Sequence, residues 1–177
     1  LLDACVLYPT VLREILIGAA RAGLYTPLWS DRILGEWARA VVKLGPGAEL
    51  VARAEIAALA AAFPAAAVPA HEGLAARLWL PDPADVHVLA AAIAGGADVI
   101  VTFNAQDFPR GVLAGEGIAR DDPDHFLLGL WRRAPATVAA VVETVRAEAE
   151  RLSGESQPLR PLLRRAKLPR LGKALSS

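Results

Sequence analysis

The order of apolar and polar residues divides the chain into alternating short strands and amphipathic helices. The most informative stretch runs from Leu80 to Pro109, where a turn, a helix, a strand and an acidic loop follow one another. Two prolines flank Asp82, which is a good helix cap, so a helix is predicted to begin near Asp85. Two consecutive glycines, Gly95 and Gly96, are predicted to end this helix.

An apolar run from Asp98 to Thr102 follows these glycines. Its length and β-branched composition are typical of a strand that is covered on both faces of a parallel sheet. Asn104 and Asp107 come directly after it. Because ligands bind at the ends of strands in an open α/β sheet, these two polar residues are well placed for chemistry.

The same alternation of strands and helices extends over the first 120 residues. The predicted strands cover residues 1–7, 24–29, 66–69, 98–102 and 117–120, and the predicted helices cover 11–22, the stretch capped by Ser30, 49–63 and the stretch from Asp85. Beyond them only helices are predicted, over 124–133, 136–152, 159–168 and 170–175. This pattern indicates an α/β sheet with parallel strands over residues 1–120, followed by a helical C-terminal extension over 121–177.

The amino-acid composition predicts a soluble globular protein. A chain of 177 residues with 54% hydrophobic residues can build one core and an appendage. No apolar run reaches the roughly 18 residues that span a bilayer, and the start does not resemble a signal peptide, so a cytoplasmic protein without membrane contact is expected. The single cysteine, Cys5, lies in an apolar stretch and is interpreted as core packing.

Charge is distributed unevenly although the formal net charge is zero. No acidic residue follows Glu155, whereas six basic residues do: Arg160, Arg164, Arg165, Lys167, Arg170 and Lys173. This tail has two interpretations. Arg164, Arg165 and Lys167 are candidate contacts for RNA phosphates, or the basic heads lie in water while the leucines between them pack on the domain.

The candidate catalytic residues are acids that belong to different predicted elements. Asp3 stands alone in the first apolar run, where a buried charge must be compensated. Glu36 lies on the helix after the second strand, Asp85 at a helix start, and Asn104 and Asp107 in the loop after the fourth strand. Individually, Asp85 also suits a helix cap, Glu36 a solvated helix position and Asp107 a turn.

Convergence of these acids would require a cation. Two unit charges about 4 Å apart interact by roughly 4 kcal/mol at an effective dielectric constant of 20, so their repulsion is large. Ligands that are all oxygen favour Mg²⁺ or Mn²⁺ over Zn²⁺. We expect Asp3 and either Asp107 or Asp85 to bind the metal directly and Glu36 to bind it through water. The Thr102 hydroxyl could orient Asp3 or Asp107. None of the three histidines has a second His or Cys at metal-binding spacing.

Four ordered segments carry a resemblance to a known family. Over roughly residues 1–120, LLDACVL, WSDRILGEW, DPADVHVLAAAI and VIVTFNAQDFP together resemble the PIN domain, the nuclease fold of VapC-type toxins. The likeness is to the PIN subgroup with a helical C-terminal extension. It implies an α/β fold: a PIN-like three-layer sandwich with a central, mostly parallel sheet flanked by helices, plus that extension.

The resemblance also implies a function. It points to a Mg²⁺-dependent or Mn²⁺-dependent endoribonuclease that hydrolyses RNA phosphodiester bonds, acts as a toxin, forms a homodimer and is held inactive by a VapB-like antitoxin. Asp3, Glu36, Asp85 and Asp107 match the acidic catalytic and metal positions, and Asn104 stands where many members have Asp. This departure keeps open an alternative, a catalytically degenerate PIN-like module that binds RNA or protein.

Overall fold

The computed structural model describes residues 1–176, which form two compact units. The first unit contains Leu1–Tyr8 and Pro27–Asp121, and the second contains Pro9–Thr26 and the chain from Asp122 onwards. Residues 9–26 thus group with the C-terminal helices, although the sequence analysis places them in the first domain. The domain boundary proposed at residue 120 stays a prediction.

The described chain contains helices and two short strands. The α-helices are α1 (Ala4–Leu7), α2 (Thr10–Arg21), α3 (Asp31–Ala40), α4 (Ala48–Ala62), α5 (Glu72–Ala75), α6 (Val86–Ala94), α7 (Arg110–Gly115), α8 (Pro123–Arg133), α9 (Pro135–Ser153), α10 (Leu159–Arg165) and α11 (Pro169–Ala174). Short 3₁₀ turns cover Val41–Leu44 and Pro83–Asp85, and the strands are β1 (Val99–Val101) and β2 (Ala119–Asp121).

The sheet of the first unit is built around β1, which pairs in parallel with β2. On its other side, Leu2 forms a parallel bridge with Val101, and the Leu2 N–H donates to Leu28 O at 2.9 Å. Trp29 then forms a parallel bridge with Ala67. Counted along the sequence, these five extended segments lie in the spatial order 3-2-1-4-5, which is a doubly wound α/β arrangement.

The first predicted strand is shorter than expected and ends at Asp3. The backbone is extended at Asp3, and α1 begins at Ala4, with the Val6 N–H donating to Asp3 O at 3.1 Å. The prediction of a strand over 1–7 was wrong because a short helix also buries Val6 and Leu7, and apolar composition alone does not separate the two structures.

Local signals place the start and end of α6 as predicted. The Asp82 carboxylate accepts the Ala84 N–H at 2.8 Å and caps the turn that leads into the helix. Gly95 ends the helix, and Gly96 adopts a left-handed conformation with φ of 64°. The five consecutive residues Val88 to Ala92 are buried, so α6 is a core helix whose N-terminus carries Asp85.

The second unit is helical. A Cβ atom on Gly18 of α2 would lie 2.6 Å from Val141 Cγ1 of α9, so a larger residue at position 18 would require the Val141 side chain to move. Tyr25 and Phe126 pack edge to face with ring centroids 5.0 Å apart. Within residues 1–176, no helix combines the length and the apolar character needed to cross a membrane.

Candidate active site

The acidic residues of the first unit gather where the strand order reverses. The segment around Leu2 and strand β1 are neighbours, and the chain leaves them in opposite directions along the sheet. In doubly wound sheets this reversal forms a crevice at the carboxyl ends of the strands, where ligands bind. Asp3 and Thr102 are the residues that follow these two segments, and the Thr102 Oγ1 hydroxyl donates to Asp3 Oδ2 at 2.6 Å.

Neutral donors compensate the buried Asp3 carboxylate. Asp3 is 6% exposed, and its Oδ2 also accepts the Cys5 thiol at 3.1 Å. Thr102 Oγ1 and Cys5 Sγ accept the N–H groups of Asn104 and Phe103, respectively, which fixes the loop after β1. Burial, followed by the charge of Asp3, raises the pKa of Cys5 to about 12, so the thiol keeps the proton that it donates.

Asp85 is left without such donors. Its side chain makes no capping hydrogen bond to α6, and its Oδ2 atom is buried without a hydrogen-bond partner among the described residues. Burial, followed by the negative charges of Asp3, Asp82, Asp107 and Glu36, raises the pKa of Asp85 to about 6. Acidic residues from several elements therefore contribute to the raised pKa of one carboxyl group.

Glu36 lies beside two basic groups. Its Oε1 is 2.9 Å from His87 Nε2 and 3.4 Å from Arg32 Nε, while the Arg32 Nη2 also donates to Ala84 O. The His87 ring is not aligned for a full hydrogen bond to Glu36, although the distance between the two atoms is short. Burial lowers the pKa of His87 against the opposing effect of Glu36, so a largely neutral imidazole faces the carboxylate.

The interpretation of the sequence does not include two residues that lie near these acids. Cys5 is interpreted there as core packing, and His87 as a surface or core histidine. His87 reaches Glu36 across 51 positions of sequence, and no local spacing signals that pairing. The sequence shows that Cys5 lies two residues after Asp3. The apolar residues around Cys5, however, do not indicate its hydrogen bond to Asp3.

The loop after β1 supplies the remaining predicted residues. Asn104 is exposed, and its backbone carbonyl accepts the Asp107 N–H at 3.2 Å, which makes a tight turn. Asp107 is half-buried, and its charge contributes to the raised pKa of Asp85. The loop thus presents one amide and one carboxylate next to the Asp3 and Thr102 pair.

The basic candidates Arg164, Arg165 and Lys167 belong to the second unit and are exposed. The Arg165 guanidinium donates to the Gln157 side chain at 2.5 Å. Lys167 has a φ of 60°, the left-handed conformation that commonly ends a helix.

The donor set fits a hard divalent cation. Within residues 1–176, no three His, Cys, Asp or Glu side chains are already arranged to hold a metal ion, so the acids form an interacting cluster and not a closed coordination shell. The buried, unpartnered Asp85 Oδ2 and the surrounding carboxylates are nevertheless oxygen donors whose repulsion a cation would relieve.

Fold and site together define a doubly wound α/β protein with an acidic cluster at the reversal of its strand order. The PIN domain family matches residues 1–106, more than half of the chain, and the chain therefore belongs to this family. PIN domains are generally nucleases that act on nucleic acid, and they typically use divalent metals. Comparisons with curated proteins and with solved structures gave no match.

Proposed function

We propose that the chain is a metal-dependent endoribonuclease that hydrolyses RNA phosphodiester bonds, and that it is the toxin of a VapBC-type pair. The observation that carries this proposal is the unpartnered Oδ2 of Asp85, which lies in the combined field of Asp3, Asp107 and Glu36. A buried polar atom without a partner costs roughly 1–3 kcal/mol, which a protein rarely keeps without a use for the atom.

Each residue has a proposed role. Asp3 and either Asp85 or Asp107 would hold Mg²⁺ or Mn²⁺ directly, Glu36 would act through water, and Asn104 would add a further oxygen. The bound cation supplies charge neutralisation at the phosphoryl group and a bound water of lowered pKa. Thr102 keeps the Asp3 carboxylate in one orientation through its 2.6 Å hydrogen bond.

The proposed partners follow from the toxin assignment. A VapB-like antitoxin would keep the nuclease inactive in the cytoplasm, and a second copy of the chain would form a homodimer. In the first unit, Val42, Leu44, Leu50 and Val51 expose between 52% and 74% of their surface, which supports the presence of an interface.

The test compares Asp85→Asn with Asp82→Asn. Loss of a residue that only supports the metal ligands typically lowers metal affinity or activity roughly 10–100-fold. Asp85 is a proposed direct ligand, so Asp85→Asn should lower Mg²⁺-dependent cleavage of single-stranded RNA by more than about 100-fold. Asp82→Asn removes a charge three residues away and keeps a capping side chain, so it should cleave at nearly the wild-type rate.

A second measurement separates the nuclease from the degenerate module. Mn²⁺ should raise the melting temperature of the wild type and much less that of Asp85→Asn, because a ligand stabilises the state that binds it. Full activity of a folded Asp85→Asn variant would refute the assignment of Asp85. RNA binding without cleavage, together with no stabilisation by Mn²⁺, would favour the degenerate RNA-binding module.

A further inference from the structure

A pocket of about 280 Å³ opens in the first unit, beside the acidic cluster. Its apolar lining consists of small side chains from residues 68–70 and 90–91, together with Ala75 of α5. Its polar lining residues are Ser30, Asp31, Arg32, His71, Glu72 and His87. The pocket therefore combines small apolar side chains with both hydrogen-bond donors and acceptors.

The position of the pocket connects it to the proposed catalytic residues. Its lining residues Ser30 and Val68 directly follow Trp29 and Ala67, which bridge each other in the sheet, so the pocket lies at the carboxyl ends of these two segments. It also shares Arg32 and His87 with the acidic cluster, because both lie within 3.4 Å of Glu36. A group bound here would be close to a bond held near the acidic cluster.

The size and the lining residues of the pocket favour a single nucleobase. Pockets that take drug-sized ligands measure roughly 300–1,000 Å³, so this pocket suits a smaller planar group. Single-stranded RNA is commonly recognised by stacking an unpaired base on aromatic side chains, including His, and by hydrogen bonds to its edge. A phosphate is disfavoured because two acidic residues, Asp31 and Glu72, line the pocket.

We propose that this pocket binds one purine base of the RNA substrate, with guanine preferred, and thereby sets the cleavage position. Guanine presents neighbouring N–H donors along one edge, and ionised carboxylates only accept hydrogen bonds, so Asp31 and Glu72 suit that edge. Uracil presents two carbonyl acceptors and only one N–H donor there, so it suits these two carboxylates less well. This inference rests on the proposed nuclease function and identifies its substrate subsite.

Neighbouring alanines provide a matched pair of variants. Ala75 lines the pocket, whereas Ala76 follows it at the end of α5 and is exposed outside the pocket. Ala75→Leu should fill the space, and Ala76→Leu adds the same volume without entering it. Glu72→Gln, at an exposed position, removes one acceptor charge while leaving the pocket open.

The first experiment measures binding without catalysis. Guanosine, adenosine and uridine are titrated against the full chain in EDTA, with shifts of alanine methyl signals as the readout. Guanosine should bind more tightly than uridine, Ala75→Leu should weaken guanosine binding by at least about 10-fold, and Ala76→Leu should not. Glu72→Gln should reduce the preference for guanosine. Equal binding of all nucleosides, or unchanged binding in Ala75→Leu, overturns the proposal.

The second experiment maps cleavage sites on a single-stranded RNA of mixed sequence. The wild type and Ala76→Leu should cut at a fixed distance from a purine, whereas Ala75→Leu should cut with that preference lost. Retained purine preference in folded Ala75→Leu overturns the pocket assignment. Guanosine binding in the pocket of a protein that cuts no RNA would instead refute the nuclease function and leave the base site in place.

Discussion

At the scale of single residues, two aspartates of the candidate site differ in their hydrogen bonding. Asp3 is almost fully buried, yet a hydroxyl and a thiol donate to its Oδ2. Asp85 is less buried, but its Oδ2 has no hydrogen-bond partner within the described chain. The charge that the structure leaves uncompensated therefore sits on Asp85, and its protonation should be visible in the stability of the metal-free protein.

The pH dependence of stability tests this difference. The pKa of Asp85 is raised from 3.8 to about 6 in the folded protein, so the folded state holds this proton more tightly than the unfolded chain does. The free energy of unfolding should consequently fall as pH rises from about 4 to about 6, and this group adds no further change above that range. The shift corresponds to about 3 kcal/mol at most, and we expect about 1 kcal/mol after allowing for solvent screening.

Urea unfolding in EDTA between pH 4 and pH 7.5 measures this effect. Asp85→Asn should match the wild type near pH 4 and exceed its stability near pH 7. Asp82→Asn should keep most of the wild-type pH dependence, because burial is the largest cause of the Asp85 shift. An Asp85→Asn stability difference that does not change with pH would contradict the prediction.

At the scale of elements, the sequence predicts what neighbouring residues determine. The Asp82 cap, the glycines after α6 and the capping of α3 by Ser30, whose Oγ accepts the Ile33 N–H, all depend on contacts within a few positions. The predicted strand over 1–7 fails because its end is set by pairing between Leu2 and Val101, far apart in sequence. Strand boundaries and the pairing of Glu36 with His87 depend on long-range geometry.

The start of α11 shows the same limit and yields a prediction. Leu168 occupies the N-cap position and offers no capping side chain, whereas Asp124 of α8 accepts the N–H groups of Arg170 and Leu171 at 2.9 and 3.0 Å. Asp124 is 5% exposed, so it caps this helix from 46 residues away. Asp124→Ala should lower the free energy of unfolding by about 2 kcal/mol, because a cap is lost and two N–H groups lose their acceptor.

Equilibrium urea unfolding measures this loss, with Glu143→Gln as the control. Glu143 forms an exposed ion pair with Arg146 on α9, and such pairs contribute about 0–1 kcal/mol. The control should therefore change stability much less than Asp124→Ala. Equal effects of the two substitutions on the free energy of unfolding would contradict the role of Asp124 as the cap of α11.

At the scale of the whole molecule, topology explains why scattered acids can act together. The spatial order 3-2-1-4-5 brings the ends of the first and fourth segments side by side, which joins Asp3 to Thr102 across 99 positions. Alternation of helices and strands predicts a parallel sheet, but it does not by itself fix that order. Sequence thus predicts the elements that carry the acids, while the neighbours of each carboxylate require the folded chain.

The structure bears on one of the two roles that the sequence leaves open for the tail of the second unit. Leu162, Leu163, Leu168 and Leu171 are buried, so packing of the tail is confirmed. Its basic residues nevertheless remain exposed, and contact with RNA is still a prediction. Truncation after Glu155 would remove both contributions at once, so substitution of the charges alone is the sharper experiment.

The last prediction therefore concerns Arg164→Gln, Arg165→Gln and Lys167→Asn combined in an Asp85→Asn background that does not cleave. Asn is chosen at 167 because it tolerates the left-handed backbone there. For single strands the salt slope is about −0.7 per phosphate neutralised, so three lost contacts should flatten the plot of log affinity against log salt by about 2. Replacement of the exposed Arg21, Arg132 and Arg133 by Gln removes the same charge elsewhere in this unit and should leave the slope nearly unchanged. Equal slopes for both triple variants would mean that the tail only packs its leucines and leaves its basic heads in water.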